Sequence, residues 1–284
     1  MSLARIRAAL LQHPPFRIST EMHPATVASA IVGAFDALAA TPAPLLHAYD
    51  MAMQVTNVAP GHPLRRAGMA AAWDIDAGIG AGLPHGYHNA RHYCEVLLCA
   101  LAIGQLAALA WQEQALLLLA ALLHDFHHDG GKRLDPFHHE LCSLEAASPY
   151  LDRAGIAATD RALLATLILS TESACGVPLA RCCHDWHSGV MTPPPAPSRP
   201  ELAGLVTEPR LALMAAALTE ADVLPSVALT PGHAAVTTAR LEAEWNIVLG
   251  AGGKVEFIDR HVGALQVARF FQPNLRAVRR AHLR

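Results

Sequence analysis

The sequence has 284 residues and a formal net charge of −3, with 52% hydrophobic and 16% charged residues. A chain of this length can bury a substantial core as one large domain or two. Its small negative charge argues against nonspecific binding to nucleic acid, which needs a basic surface. Because aromatic residues make up only 5% and Ala/Leu blocks are long, the composition favours helix over sheet, and we expect an all-α protein.

The N-terminal stretch MSLARIRAALLQHPPF has too short an apolar run for a secretory signal. Polar residues interrupt the most apolar region, 96–123, so that it contains no uninterrupted apolar span long enough to cross a membrane. With no signal sequence, the six cysteines are expected to be reduced thiols. These features predict a cytoplasmic protein without a membrane segment, and they leave a homodimer open.

Residues 1–84 contain the breaks HPP, TPAP and APGHP and end in the glycine-rich connector AGIGAGLPHG. Proline and glycine interrupt helices, so we expect two or three helices in this region. We interpret residues 1–80 as an N-terminal helical extension that packs on the core, and residues 81–284 as the main domain.

Apolar periodicity predicts helices through the rest of the chain. The first two are apolar nearly all round and are therefore expected to be central, and Asp160 is expected to cap the fourth. The proline-rich stretch MTPPPAPSRP, residues 191–200, is predicted to be a surface loop. The predicted helices are 94–108, 112–123, 138–154, 160–170, 210–223, 234–249 and 255–271.

The stretch GYHNARHYCEV, residues 86–96, places His88 and His92 four residues apart near the beginning of the first of these helices. Residues at this spacing lie on one helix face, which would suit a metal ligand next to a proton donor. In a chain with 17 histidines, two ordinary surface histidines explain the spacing equally well. The stretch by itself does not decide between these two interpretations.

In a second stretch, LAALLHDFHHDGG, a buried apolar helix is followed directly by His124 and Asp125, and His128 lies one turn beyond. A buried imidazole and a buried carboxylate are costly unless they are paired or bound to a metal. Both groups are ligands of zinc, manganese or iron. Taken alone, the pair is explained as well by a capping aspartate beside a hydrogen-bonded core histidine.

Two further residues complete a ligand set. An antiparallel pair of helices would bring His92 close to His124 and Asp125, and the stretch LTEADVLPS places Asp222 late in another apolar helix. Two histidines and two aspartates together suit a hard or borderline divalent cation.

The order of these motifs resembles the HD superfamily of metal-dependent phosphohydrolases and, within it, the class I cyclic-nucleotide phosphodiesterase catalytic domain. That family carries YHNxxHxxxV followed by HDxxHxG, matched here by YHNARHYCEV at 87–96 and HDFHHDG at 124–130. The similarity spans residues 84–265. It implies a compact multi-helix domain of that type in residues 81–284.

The resemblance implies a centre of two divalent metal ions, Zn²⁺ with Mg²⁺ or Mn²⁺ and with iron as an alternative, that generates a hydroxide nucleophile. His88 is expected to act as the general acid on the leaving alkoxide. His139 is the strongest candidate for an additional ligand. The implied metal ligands are His92, His124, Asp125 and Asp222, and the residues implied to hold water are His128, Glu140 and Thr171.

The resemblance also implies a substrate pocket. The family's QVGFI stretch at the nucleotide is matched by KVEFI, so that Lys254 replaces the glutamine that binds the purine and Phe257 retains the aromatic clamp. An ammonium group only donates hydrogen bonds, whereas an amide also accepts them, which leaves the substrate open. Tyr87 and Thr171 complete the implied substrate-binding residues, and Tyr87 is expected chiefly to position the start of its helix together with Asn89.

The leading hypothesis is a phosphoric ester hydrolase that cleaves a cyclic nucleotide or a related small phosphoester. The alternatives are an HD-type phosphomonoesterase acting on a nucleotide or another small phosphate, a di-iron oxygenase, and a ligand sensor on a decayed HD fold. Thr171 stands where an oxygenase would need a further histidine, which disfavours the oxygenase. The complete set of histidines and aspartates disfavours the sensor, because a binding module has no need for all of them.

Overall fold

The computed structural model describes residues 17–84, 86–131, 135–190, 193–260 and 265–283; the predicted HPP break lies outside them. Within these ranges the chain forms thirteen α-helices and no β-strand, and a single antiparallel bridge joins Gly82 to Asn89. The predicted all-α fold class is confirmed.

The helices are numbered here in chain order. They are α1 (Pro24–Ala39), α2 (Pro44–Val55), α3 (Pro63–Asp76), α4 (Ala90–Leu106), α5 (Trp111–Leu123), α6 (His138–Ala154), α7 (Ala158–Leu169), α8 (Gly176–His187), α9 (Gly204–Thr207), α10 (Pro209–Val227), α11 (Pro231–Trp245), α12 (Gly250–Asp259) and α13 (Gln272–His282). Two short 3-10 helices lie at Pro200–Leu202 and Arg269–Phe271.

Proline is the first residue of five of these helices, α1, α2, α3, α10 and α11. Its fixed φ suits a helix, and the N–H that it lacks would have no partner in the first turn. The predicted breaks TPAP and APGHP therefore contain helix starts, at Pro44 and Pro63. The expectation of helices in this region is confirmed by α1 to α3.

The centre of the molecule is formed by α4, α5 and α10. Helix α10 packs against α4 and α8, and α4 packs against α5. Every residue from His92 to Gly104 is buried, as is every residue from Gln114 to Leu123. These helices are apolar over most of their surface, and the candidate site lies where they end.

Several predicted helix boundaries differ from the structure by a few residues, and two of them have an identifiable local cause. Ala157, not Asp160, is the N-cap of α7, and Asp160 lies in its first turn, where a negative charge stabilises the positive end of the helix dipole. The helix predicted over 234–249 ends at Trp245, because Asn246 adopts a left-handed C-cap conformation.

Two further segments also differ. The helix predicted over 255–271 is α12, which begins at Gly250 and ends at Asp259, with a separate 3-10 turn farther on. Helix α8 is absent from the predictions. Residues 193–199 carry no helix, in agreement with the predicted loop.

The N-terminal helices share the hydrophobic core of the rest of the chain. Val27, Phe35 and Tyr49 are buried in it, α2 packs against α4, and α3 packs against α5 and α6. The division near residue 80 stays a prediction.

All six cysteines are free thiols. Among the described helices none is by itself long and apolar enough to cross a bilayer, although the bent pair α9 and α10, with the 3-10 turn before it, passes that test by length and composition.

Candidate active site

The first site residues lie at the start of α4. The side chain of Asn89 caps this helix by accepting the backbone N–H groups of Arg91 at 3.0 Å and His92 at 3.4 Å. The helix therefore begins at Ala90, and His88 precedes it. The prediction that His88 and His92 share a helix face is wrong, because the N-cap residue Asn89 is already non-helical and His88 lies before it. Their rings nevertheless lie together, with centroids 5.8 Å apart.

Four predicted ligands converge where α4, α5 and α10 meet. His92 lies in the first turn of α4, His124 and Asp125 in the turn that ends α5, and Asp222 near the end of α10. Nε2 of His92 lies 2.9 Å from Oδ1 of Asp222 and 3.6 Å from Oδ2 of Asp125. Nε2 of His124 lies 3.1 Å from Oδ2 of Asp125 and 3.7 Å from Oδ1 of Asp222. The structure thus brings all four into one cluster.

The donor atoms of this cluster fit a divalent cation. Nε2 of His92 and Nε2 of His124 are buried and make no hydrogen bond of acceptable geometry, although carboxylate oxygens surround them. Such atoms are costly in a protein interior unless a further group compensates them. Nδ1 of His124 donates to the carbonyl of Ala121 at 3.0 Å, which leaves Nε2 free to act as a ligand.

His124 and the two carboxylates shift one another's pKa values. Burial opposes protonation of His124, but the carboxylates of Asp125 and Asp222 outweigh burial and raise its pKa well above the usual value. Burial also raises the pKa of each carboxyl group, but the adjacent His124 outweighs that effect and lowers both values. Without metal, a proton on His124 therefore occupies the place that a cation can take.

The turn after α5 is held from both sides. The hydroxyl of the buried Tyr93 donates to the backbone carbonyl of Asp125 at 2.5 Å. Gly130 has φ +72° and donates its N–H to Nδ1 of His128 at 2.9 Å. A Cβ at this position would lie 2.6 Å from the side chain of Leu83, so both the conformation and the space require glycine.

Glu244, on α11, completes the site, and sequence reasoning missed it. Its carboxylate lies 2.5 Å from Nδ1 of His88 and accepts the backbone N–H groups of Tyr87 at 2.7 Å and His88 at 3.0 Å. A Cβ on Gly86 would approach this carboxylate to 2.3 Å, so glycine leaves room for it. Burial opposes protonation of His88, but the hydrogen bond to Glu244 and the negative charges of Glu244, Asp125 and Asp222 together outweigh it and raise the pKa of His88.

These residues open onto a cavity of about 500 Å³. Phe137 and Trp245 supply its aromatic walls, and no lysine or arginine lines it among the residues that the structure describes. The predicted site residues on its walls are His88, Asp125, His128, Glu140, Thr171 and Asp222.

One wall of the cavity carries Glu140 and Thr171. Burial raises the pKa of Glu140 to about 7, and the neighbouring Asp125 and Glu172 add to the shift. The hydroxyl of Thr171 donates to the carbonyl of Ile168 at 2.7 Å, so its oxygen can still accept from water. The carboxylate of Glu172 accepts three backbone N–H groups at the start of α8, which fixes this wall.

Three imidazoles form a stack at the cavity. The ring of His128 lies 4.1 Å from that of His88 and 4.0 Å from that of His139. Burial lowers the pKa of His128 to about 4, so the ring is neutral at pH 7. Its Nδ1 accepts a backbone N–H, so its Nε2 carries the proton and can donate to an oxygen of water or phosphate. Ligand atoms of His128, Asp129 and His139 also lie within 4.8 Å of one another, which keeps His139 a candidate outer ligand.

Two predicted substrate contacts lie away from this cavity. Nζ of Lys254 lies 3.3 Å from Oε2 of Glu242, and Phe257 packs against the hydrophobic core. Neither residue lines the cavity, because KVEFI lies on α12, a helix that directs these side chains to α11 and to the core. The structure therefore gives no support to substrate contacts by Lys254 and Phe257.

Tyr87 is buried behind the ligand cluster. Its ring lies 4.4 Å from that of His92, and its hydroxyl lies 2.9 Å from Oγ of Ser226. It does not line the cavity. Its contacts fit the expectation that Tyr87 positions the start of α4, and they do not fit a direct contact with substrate.

A larger cavity, of about 690 Å³, lies near the C-terminal ends of α2 and α4. Its walls include the side-chain amides of Gln54, Gln105 and Gln114. None of the candidate site residues lines it, so the smaller cavity is the one that carries the chemistry.

The chain is similar in structure to solved phosphodiesterase domains. The structure of LmjPDEB1 in complex with IBMX matches with a TM-score of 0.63 at 14% identity, over 99% of this chain and 97% of that chain. Two structures of the phosphodiesterase domain of the rhodopsin phosphodiesterase from the choanoflagellate Salpingoeca rosetta match with TM-scores of 0.62 and 0.59, at 15% and 16% identity. They cover 98% and 97% of this chain, and 93% and 94% of theirs. No protein-family model and no curated protein matches the sequence. The comparison confirms the predicted phosphodiesterase-like fold over nearly the whole chain.

Proposed function

We propose that the protein is a metal-dependent phosphodiesterase that hydrolyses a cyclic nucleotide or a related small phosphoester. The observation that carries this proposal is a cluster of two buried imidazoles and two carboxylates beside the His88–Glu244 pair, at one cavity. The likeness of the fold to phosphodiesterase domains supports it.

His92, His124, Asp125 and Asp222 would hold one divalent cation, and Asp125 would be shared with a second. Bound cations would lower the pKa of a water toward neutrality and neutralise phosphate charge. The two imidazoles suit zinc, and the oxygen-rich side beyond Asp125 suits magnesium or manganese. No lysine or arginine from the described residues lines the cavity, so none of them offsets the charge of a phosphate.

His88 would donate the proton that the leaving alkoxide needs. Glu244 holds its Nδ1 and its backbone N–H, which fixes the ring and leaves Nε2 available to the substrate. The raised pKa of His88 keeps a proton on the ring near neutral pH. An alkoxide is a strongly basic leaving group, so a positioned acid lowers the barrier most for substrates of that kind.

His128, Glu140 and Thr171 line the same cavity and would orient the attacking water. The Nε2–H of His128 donates, the oxygen of Thr171 accepts, and Glu140 can do either because its pKa is about 7. A cavity of about 500 Å³ is within the size range of small-ligand sites.

The test is a metal-reconstituted screen of the purified protein against cyclic mononucleotides, cyclic dinucleotides and phosphomonoesters. We expect about two divalent ions per chain by elemental analysis and hydrolysis of a phosphodiester that a chelator abolishes. A Lys254→Ala variant, altered outside the cavity, should keep that activity. Hydrolysis of monoesters alone would replace the proposal with a phosphomonoesterase, and a metal-loaded protein inactive on all three classes would contradict it.

A further inference from the structure

Three charged or titratable side chains form a stripe along α11. His233, Arg240 and Glu244 are separated by seven and four residues, which places them within about 40° of one another on the helix surface. This stripe faces the N-terminal half of α4. Glu244 contacts the residues just before α4, and the other two contact a residue one turn inside it.

That residue is Glu95, a buried carboxylate on the same helix as His92. Oε1 of Glu95 lies 3.3 Å from Nε2 of His233 and 3.5 Å from Nη1 of Arg240. Its side chain is only 2% exposed. A buried charge is strongly unfavourable when its partner is removed, so this cluster fixes the distance between α4 and α11.

His233 also contacts residues other than Glu95. Its ring packs edge-on against Phe35 of α1 at 5.7 Å, and Arg91 lies over the face of Phe35 at 5.2 Å. The part of α11 from His233 to Arg240 is therefore held against α4, and its first turn also contacts α1. Glu244 lies one helical turn beyond Arg240, so its position follows from this contact.

We propose that Glu95 is a positioning residue for the proton donor. Through Arg240 and His233 it holds α11 at the distance from α4 at which Glu244 binds Nδ1 of His88 and the two backbone N–H groups before the helix. Glu95 touches no reacting group; it acts through Glu244. The proposal rests on the proposed function for its catalytic consequence, but its structural content is independent of any substrate.

The structural content is tested by hydrogen exchange on the full-length protein. The N–H groups of Tyr87 and His88 donate to Glu244, and we expect them to exchange at least about tenfold faster in Glu95→Gln. Glu244→Gln marks the full size of the effect. Unchanged exchange in a folded Glu95→Gln protein would overturn the proposal, whether or not the protein hydrolyses any phosphodiester.

The catalytic content is tested by comparing two leaving groups. An alkyl phosphodiester needs a proton donor, whereas a p-nitrophenyl ester of the same phosphate does not. We expect Glu95→Gln to lower kcat about tenfold on the alkyl ester and less than about twofold on the nitrophenyl ester, with metal content unchanged. Equal losses on both esters would overturn the positioning role.

Two matched variants separate positioning from general destabilisation. Asp50→Asn disrupts another partly buried ion pair, with Arg65 at 2.5 Å, which joins α2 to α3, and should leave both the exchange and the leaving-group ratio unchanged. Arg240→Lys keeps the charge that faces Glu95 and should stay within about threefold of the parent protein on the alkyl ester. A leaving-group effect in Asp50→Asn as large as in Glu95→Gln would contradict the proposal. If no phosphodiester is hydrolysed, the proposed function fails and the exchange result still decides this inference.

Discussion

The two sides of the candidate site are built in different ways. The ligand side takes His92, His124, Asp125 and Asp222 from the ends of the three most buried helices, where each polar residue interrupts an apolar run. The donor side joins His88, in the segment before α4, to Glu244, which is 156 residues away on α11. Ligands set on a rigid core hold a cation, whereas the donor depends on a contact between two separate parts of the chain.

The largest expected effect breaks the ligand side. In Asp125→Ala the carboxylate shared by both implied cations is lost, and His124 loses its nearest anion at 3.1 Å. We expect metal content to fall below about 0.2 ions per chain and activity to fall by more than the roughly 10–100-fold typical of losing an outer partner. Elemental analysis and turnover measure this. A variant that keeps two ions would contradict the ligand assignment.

The next effect breaks the donor side and leaves the ligand side intact. His88→Asn removes the acid but not a ligand, so we expect about two ions per chain and a fall in kcat of roughly 10²–10⁴ on an alkyl ester. The matched measurement is a nitrophenyl ester, for which the fall should be small. A rate unchanged on the alkyl ester would reject the acid role.

A smaller effect sharpens the comparison by changing only how the donor is held. Glu244→Gln keeps the shape and one acceptor oxygen but removes the negative charge that raises the pKa of His88. With that pKa lower, less of the ring is protonated near neutrality, and kcat should fall about 10-fold or more on an alkyl ester. The alkaline limb of the pH profile, where the donor loses its proton, should move to lower pH. A pH profile identical to that of the parent protein would show that the pair does not set the proton.

The ligand side also predicts a pH dependence of metal binding. In the metal-free protein the pKa of His124 is raised well above its usual value, so a proton competes with the cation at neutral pH. Raising the pH removes the competitor, and zinc affinity should rise by up to about tenfold per pH unit while binding releases a proton. Calorimetry in buffers of different ionisation enthalpy counts that proton. Zinc binding without proton release at pH 7 would contradict the prediction that zinc displaces a proton from His124.

The smallest effect is expected outside both sides. Lys254 pairs with Glu242 and does not line the cavity, so Lys254→Gln should leave the ranking of substrates unchanged and each rate within about twofold. A shift of preference toward purine cyclic nucleotides would return Lys254 to the substrate site.

Much of the ligand side could be predicted from sequence. An imidazole and a carboxylate adjacent at the end of an apolar helix are expensive to bury without a cation, and that signal lies within a few letters at His124 and Asp125. The helix boundaries were less accurate, because capping by Ala157 and the left-handed Asn246 depend on local backbone geometry. The position of His88 before the helix was missed for the same reason.

The donor side could not be predicted in this way. Glu244 lies in LEAEW, where an acidic residue on a helix carries no local sign of its partner. The assignment of KVEFI to the pocket failed for a different reason. The stretch resembles a family motif, but it lies on α12, where Lys254 pairs with Glu242 and Phe257 packs against the core. A short sequence pattern identifies a site reliably only when the residues that form the site are close together in the sequence.

By itself the sequence determined an all-α protein, its central helices and the residue types of a divalent metal site, because apolar periodicity and the cost of buried charge act over a few residues. Only the tertiary structure decided that Glu244 holds His88, that Glu95 ties α11 to α4, and that Lys254 lies outside the cavity. The contacts of Glu244 with His88 and of Glu95 with Arg240 join parts of the chain that are far apart in the sequence. They arise from how the helices pack, which no single stretch of sequence encodes.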